Sequence, residues 1–503
     1  MKKLKRVIKI ILYALVTVLS LLNIITYYES FWIEENVGVV SIDEVIFHLK
    51  VPIEGTSNDL IFSNVTSCIV PSIIIFGILV FLLFFKFKYY SVIYLKIKNK
   101  EFHFKPKRLL FFTLIVLNIY FIIYQFIYVD SKFGVVKYFE AQLEQSSFIK
   151  DNYVDPNSVK ITFPENKKNL IYIYLESMES NYSSATLDGK EGYNLIPRLT
   201  TLAEENTNFS DTSGIGGAHQ IVGSTFTIAA MVGHTSGVPL KIPISGNSYT
   251  GYNEFLPGIT NIGDILEKNG YNQTIVVGSD ADFGGRKTYY KTHGNYKVKD
   301  LYTARKDGII PKDYYVFWGY EDSYMFEYAK RQLDELSSKE EPFNLTLLTV
   351  NTHFPTGYVE DDCEKISDTN QYANSIYCSQ EQVYNFIEWV KEQDYYDNTT
   401  IVIVGDHLTM ANNEIIGDER RIYNTFINTG KETSNDKNRD FTNFDLFPTT
   451  LASLGVEIEG NKLGLGVNLY SGEKTIIEKY SYEKVTKELS KKSNFYDRFI
   501  YKN

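Results

Sequence analysis

Apolar and polar positions divide this chain into two regimes. No charged residue occurs from Ile10 to Tyr28, from Leu60 to Phe85, or from Leu109 to Val129, and each run is long enough to cross about 30 Å of hydrocarbon as a helix. The predicted spans cover about residues 10–28, 66–85 and 109–129. After residue 165 the pattern changes to short apolar strands alternating with amphipathic helices. The clearest strands are Leu170 to Leu175, Thr274 to Val277, Leu345 to Val350 and Thr400 to Val404. Helical spacing recurs at Pro197 to Asn206, Ile262 to Lys268, Ser323 to Leu336, Ser379 to Glu392 and Leu446 to Leu454. That alternation predicts an α/β domain with a mostly parallel central sheet flanked by helices, preceded by transmembrane helices. The domains expected are a membrane anchor at 1–130, a connector at 131–165, a catalytic domain at 166–475 and a C-terminal tail at 476–503.

Basic residues set the expected orientation. Lys2, Lys3, Lys5, Arg6 and Lys9 precede the first span, and the segment from Lys86 to Arg108 is basic with Glu101 as its one acid. Both belong on the cytoplasmic side. The intervening segment is acidic, with Glu29, Glu34, Glu35, Asp43, Glu44, Glu54 and Asp59 against Lys50. The third span then delivers everything after Asp130 outside, so a multi-pass protein of the cell membrane with an extracytoplasmic domain is expected. No small-residue cleavage site precedes Tyr27, Tyr28 and Glu29, so the first span reads as an uncleaved anchor.

Composition adds exclusions. The net charge of -10 is spread without long single-sign blocks, which removes a nucleic-acid partner. Cys68 falls inside an apolar run and reads as a small buried hydrophobe. Cys363 and Cys378 lie in the outward-facing part, where a bridge closing a short loop is permitted; spacing alone leaves that pairing open.

The candidate chemistry sits at strand ends, where parallel α/β sheets place their functional groups. Leu175 runs into Glu176, Val350 into Asn351, Thr352 and His353, and Val404 through Gly405 into Asp406 and His407. One carboxylate at such a place usually caps the next helix, but three strands ending in metal-ligating or proton-transfer residues suggest a divalent cation such as Mn²⁺, Mg²⁺ or Zn²⁺. A fourth stretch, Gly214 to Leu240, holds His219, Thr225, Thr227, His234 and Thr235. It reads either as a glycine-rich surface loop or as a turn opening a helix, whose N-terminal hydroxyl and free N–H groups would meet a phosphoryl group.

Taken in order, these segments resemble the alkaline-phosphatase superfamily, and within it the lipoteichoic acid synthase and phosphoglycerol transferase group. The resemblance covers about residues 140–473. It rests on Leu175-Glu176-Ser177, on Thr225-Phe226-Thr227-Ile228-Ala229 running to Gly237-Val238-Pro239-Leu240, on Thr352-His353-Phe354-Pro355 and on Gly405-Asp406-His407-Leu408. Tyr289-Tyr290 with His293-Gly294, and Trp318 to Asp322, support it. Phe444 to Thr449 and Leu463 to Gly466 are closer to the glucan-modifying members. The resemblance implies Glu176, Thr227, Asp406 and His407 as metal ligands, Thr227 as the nucleophile with Thr225 as its alternative, and His353 as a phosphoryl contact and proton carrier. Arg286 matches the family's phosphate-binding arginine. It further implies one divalent ion, with Mn²⁺ ahead of Mg²⁺ or Zn²⁺. The implied donor is phosphatidylglycerol, and the implied acceptor is a cell-envelope glycan or a teichoic-acid-type polymer. A phosphodiesterase or phosphoethanolamine transferase of the same superfamily stays open, as does a lipid- or glycan-binding surface protein without turnover. Sulfate-ester chemistry is disfavoured, because no Cys or Ser lies in a C/S-x-P-x-R context.

Overall fold

The computed structural model describes the chain except residues 1, 39, 51–54, 85–92, 98–99, 105, 243–253, 412–414, 416, 418 and 503, and describes the backbone alone at 2, 5, 84, 93–97, 100–104 and 106–108. Phe85 and the basic side chains from Lys86 to Arg108, on which the expected orientation partly rests, therefore lie outside the described residues. The chain forms two compact units, one of residues 1–39 and 58–136, the other of 40–57 and 137–503.

Long apolar helices build the first unit. It contains α1 (Lys2–Asn36) and, beyond the intervening α2 (Ile42–Lys50), the helices α3 (Asn58–Asn64), α4 (Val70–Phe84) and α5 (Pro106–Phe133). A π-helical turn over Val65–Ile69 joins α3 to α4. Among the described residues three stretches are long and apolar enough to cross a membrane, Arg6–Asn36, Asn58–Leu83 and Leu109–Phe133. Their outward faces are apolar and solvent-free surroundings suit them, with Ile10, Ile73, Val116 and Ile123 all more than half exposed. Inside, polar side chains pair with one another. Asn23 donates to Asn118 Oδ1 at 2.7 Å, and Asn118 donates to Ser20 Oγ at 2.8 Å, the internal satisfaction that a bilayer demands.

A seven-stranded sheet organises the second unit. Its strands in chain order are β1 (Asn169–Leu175), β2 (Gly217–Ala218), β3 (Asn272–Val277), β4 (Lys297–Lys299), β5 (Phe343–Leu348), β6 (Thr399–Gly405) and β7 (Ile422–Ile427), and their spatial order is β2-β7-β6-β1-β5-β3-β4. β6, β1, β5, β3 and β4 run parallel, whereas β7 and β2 are antiparallel additions at one edge. β1, β5 and β6 are buried along their whole length, which is why they are continuous apolar runs without alternation. Their register pairs Leu175 with Gly405 and Tyr174 with Leu348. Three C-terminal ends thus finish level with one another.

Domain boundaries depart from the sequence reading in three places. Residues 40–57 belong to the sheet-containing unit, not to the anchor, because Phe47 on α2 is buried in that unit's hydrophobic core. The expected connector is divided near Lys137, with Phe148 and Ile149 buried in the same core. The expected tail is packed as well: Ile476, Val485, Leu489, Tyr496 and Ile500 are all core residues. Helix Ser379 to Glu392 begins earlier than its periodicity suggests and forms α9 (Gln371–Lys391), capped by Asn370, which accepts from Ala373 N.

Candidate active site

The site is assembled where β1, β6 and β5 end. Ser177, directly after Glu176, adopts φ 53°, a left-handed conformation that turns the chain sharply. Its N–H donates to Asp406 Oδ1 at 2.8 Å and its hydroxyl to Glu176 Oε1 at 2.8 Å. Gly405 makes the junction possible, since a Cβ there would lie 2.0 Å from the Met178 carbonyl oxygen. Asp406 Oδ1 also accepts from His407 N at 2.7 Å.

Glu176, Asp406 and His407 are buried and offer ligand atoms all within 4.8 Å of one another. His407 Nε2 is 3.5 Å from Glu176 Oε1 and 3.5 Å from Asp406 Oδ2. Its Nδ1 lies 2.8 Å from the Leu408 carbonyl oxygen; because that oxygen only accepts, Nδ1 carries the proton and Nε2 is free to ligate. Asp406 Oδ2 is buried without a hydrogen-bond partner among the described residues, a costly state for an isolated carboxylate. These groups fit a divalent cation: two carboxylate oxygens, one of them orphaned, and one bare imidazole nitrogen converge. The local field carries the same imprint. Burial raises the Asp406 carboxyl to about 7, with Glu176 adding to the rise. For Glu176 burial acts upward, but His353 and His407 outweigh it and hold the carboxyl below its ordinary value. Burial would lower His407, yet Asp406 and Glu176 outweigh it and hold the imidazole above its usual range.

Thr227 joins this cluster. It is the first residue of α6 (Thr227–Ser236), after Phe226 in an extended conformation, and its hydroxyl donates to Glu176 Oε2 at 3.3 Å. The glycine-rich stretch is therefore a helix opening, and α6 is almost wholly buried. Thr225 sits two residues before the helix and makes no hydrogen bond to the cluster among the described residues. His219 lies elsewhere, its Nε2 meeting Asp440 at 3.0 Å, whereas the buried His234 ring meets the Tyr172 hydroxyl at 3.3 Å and lies in the field of His407 without being one of the clustered ligands.

His353 follows β5 on a loop held by the start of α8 (Asp322–Ser337). Asp322 accepts from Val350 N at 2.7 Å and Asn351 N at 3.3 Å, and Asn351 donates to Glu360 at 2.6 Å. His353 Nδ1 is 3.1 Å from the Phe354 carbonyl oxygen, which leaves Nε2 as the exchangeable nitrogen. Burial lowers its pKa, opposed by Glu176. Arg286 opens α7 (Arg286–Thr292) after Gly284 and Gly285, whose φ of 65° and 76° suit glycine. It donates to Ser279 Oγ at 3.1 Å and to the carbonyls of Asp280 and Phe283 at 2.7 and 3.1 Å. No carboxylate neutralises it through these contacts, and its charge acts on Glu176, Asp406 and His353. Cys363 and Cys378 are bridged, with Cα atoms 5.4 Å apart.

Sequence reasoning cited Trp318 only as part of a supporting motif and passed over Glu179. The Trp318 ring lies tilted 4.2 Å from the His353 ring, and Glu179 accepts from Thr409 N at 2.9 Å and pairs with Arg420, fixing the chain beyond His407. Glu44 and His48 of α2 reach the same region. Burial pushes Glu44 up to about 8, with His407 pulling the other way, and lowers His48 to about 4, with His353 acting in the same direction. Only an acidic residue among many in an inter-span segment signalled Glu44.

Comparison with known proteins places this arrangement. The family profile described as Sulfatase matches residues 168–456. Phosphoglycerol transferase I from Citrobacter koseri is 32% identical over 332 residues, covering 64% of this chain and 41% of the relative. The protein of that name from Salmonella choleraesuis is 33% identical over 323 residues, covering 62% and 40%. The chain thus spans about two fifths of the length of these curated relatives. Among solved structures, the lipoteichoic acid synthase LtaP from Listeria monocytogenes superposes with a TM-score of 0.50 at 20% identity, covering 65% of this chain and 81% of that one, a likeness of fold. Since the profile takes in more than half of the chain and contains every strand end that carries the cluster, this protein belongs to the sulfatase family.

Proposed function

We propose that this protein is an extracytoplasmic, membrane-anchored phosphoglycerol transferase that moves glycerol phosphate from phosphatidylglycerol to a cell-envelope glycan or teichoic-acid-type acceptor. The observation that carries the reading is the Thr227 hydroxyl bonded to Glu176 beside Asp406 and His407. The name shared by the curated relatives supports phosphoglycerol as the group transferred, and the apolar helices preceding the catalytic unit suit a lipid donor.

Glu176, Thr227, Asp406 and His407 are the groups that would hold a divalent ion, Mn²⁺ in the first instance. Such an ion supplies charge neutralisation at the phosphoryl oxygens and a lowered pKa at the Thr227 hydroxyl. Thr227 Oγ1, deprotonated after its hydroxyl proton has passed to solvent, forms a bond to phosphorus while the diacylglycerol oxygen departs with a proton from Nε2 of the doubly protonated His353, and it is this deprotonated Oγ1 that the second step releases. His353 then takes the proton of the acceptor hydroxyl, whose oxygen attacks phosphorus and displaces Thr227 Oγ1. Protons and bonds balance over the two steps. Arg286 neutralises the equatorial phosphoryl oxygens throughout, and the N-terminus of α6 aims its free N–H groups at the same place.

The test uses the full-length protein in detergent with Mn²⁺ and phosphatidylglycerol labelled in the terminal glycerol. Transfer of label to an added glycan, with diacylglycerol released, is expected. Label found only as free glycerol phosphate whatever the acceptor would make the protein a phosphodiesterase, and preference for phosphatidylethanolamine would change the donor.

A further inference from the structure

Helix α2 lies in sequence between two candidate membrane spans, yet its core-facing side is built into the catalytic unit. The Phe47 ring packs 4.8 Å from Phe226, the residue before the proposed nucleophile. His48 lies 5.8 Å from the same ring and stacks at 6.0 Å on Phe283, three residues before Arg286. Phe283 in turn meets Trp318 at 5.5 Å, and Trp318 meets His353 at 4.2 Å. One aromatic wall therefore runs from His48 to the proposed proton carrier. Beyond the helix, Gly55 (φ 85°) approaches so closely that a Cβ would lie 2.9 Å from that of Phe283 and 3.0 Å from that of Asp280. The segment is seated at both ends.

Glu44, Phe47 and His48 stand at i, i+3 and i+4, one face of the helix. Glu44 is 2% exposed, and among the described residues its Oε2 has no hydrogen-bond partner. It is outside the group of ligand atoms within 4.8 Å of one another, although it lies in the field of His407. A buried acceptor left unmade carries the full cost of its desolvation, so a native structure that keeps one has a donor in view. The nearest chemistry is a phosphodiester, and the part of it that carries donors is the alcohol esterified to phosphorus.

We propose that α2 is a wall of the active site and that the Glu44 carboxyl, with His48 beside it, binds a hydroxyl on the alcohol portion of the substrate, selecting polyol phosphates over phosphates of plain alkanols. The assignment rests on the phosphoglycerol reading and specifies how glycerol would be recognised. A hydroxyl donates to Glu44 Oε2, and an alkyl group in its place leaves that oxygen unpaired, the situation in which hydrogen-bonding sites discriminate strongly.

The experiment measures binding of glycerol 1-phosphate and of propyl phosphate to the full-length protein in detergent with saturating Mn²⁺, by calorimetry. Wild type is expected to bind glycerol 1-phosphate at least about tenfold more tightly. Glu44→Met, similar in volume, should bring the ratio close to one with propyl phosphate affinity within about twofold, while Glu44→Gln, which retains an acceptor, keeps most of the preference. His48→Leu should lower the ratio several-fold. A wild-type ratio near one overturns the hydroxyl assignment while leaving the phosphoryl site standing, and it needs no variant. Equal loss of both ligands in a folded Glu44→Met protein also overturns it, since Glu44 would then act through the cation cluster. Failure of wild type to bind either phosphate would instead remove the phosphoryl reading, and the assignment with it.

Discussion

Thr227 Oγ1 donates to Glu176 Oε2 across 3.3 Å, linking the first residue of α6 to the residue that follows β1. A hydroxyl at a helix N-terminus is ordinary, but one bonded to a buried carboxylate with Asp406 and His407 alongside is the arrangement on which the proposed nucleophile role rests. Thr227→Ala is expected to lower diacylglycerol release from phosphatidylglycerol by about 10³-fold or more, the scale seen when a covalent nucleophile is removed. Thr225→Ala, with no hydrogen bond to the cluster among the described residues, should stay within about threefold. Trapping label on a peptide modified at Thr225 would reassign the nucleophile.

Cation binding should be visible without turnover. Glu176, Asp406 and His407 crowd two carboxylates against one imidazole, so an ion that binds the folded state stabilises it by RT ln(1 + [L]/Kd), about 2.7 kcal/mol at a hundredfold excess over Kd. Melting of the detergent-solubilised protein should move upward with Mn²⁺ and not with K⁺. Asp406→Ala should abolish the Mn²⁺ shift, and an undiminished shift would place the ion elsewhere.

Most of the sheet, and the convergence of Glu176, Asp406 and His407, were legible because these residues follow uninterrupted buried strands, and such strands announce themselves as apolar runs. The choice between Thr225 and Thr227 was not, since both occupy one loop-like stretch and only the start of α6 separates them. Glu44 and His48 were hidden for a different reason. Helix α2 is short, its neighbourhood is acidic, and nothing local distinguishes a face buried by tertiary contact from a solvated one. The packed C-terminal residues were likewise obscured, because Val485 and Leu489 are sparse apolar positions within a charged helix.

Asp445 makes a pH prediction away from the site. It accepts from Thr442 N and Val467 N, both at 2.8 Å, and burial raises its carboxyl to about 7. The folded state therefore keeps a proton that the unfolded state releases near its ordinary value, so this residue's contribution to stability declines as pH rises from about 4 to about 7. Asp445→Asn should melt lower overall, since its amide would face a backbone N–H, but with a flatter pH dependence over that window. An unchanged slope would mean the carboxyl is ionised throughout.

Orientation is tested by reporters fused after Asp130. Alkaline phosphatase should be active there and a green fluorescent protein dark when both are exported in unfolded form. The opposite result would put the sheet-containing unit on the cytoplasmic side and remove phosphatidylglycerol of the outer leaflet as donor.

The seating of Phe47 on Phe226 sets a condition for future work on this protein. A polypeptide begun after the third apolar helix would lack residues 40–57 and leave the Phe226 ring uncovered. Its solubility and headgroup selectivity would describe a cleft missing one side. Kinetic comparisons between trimmed and intact versions thereby become a measure of what the segment up to Phe133 contributes beyond tethering.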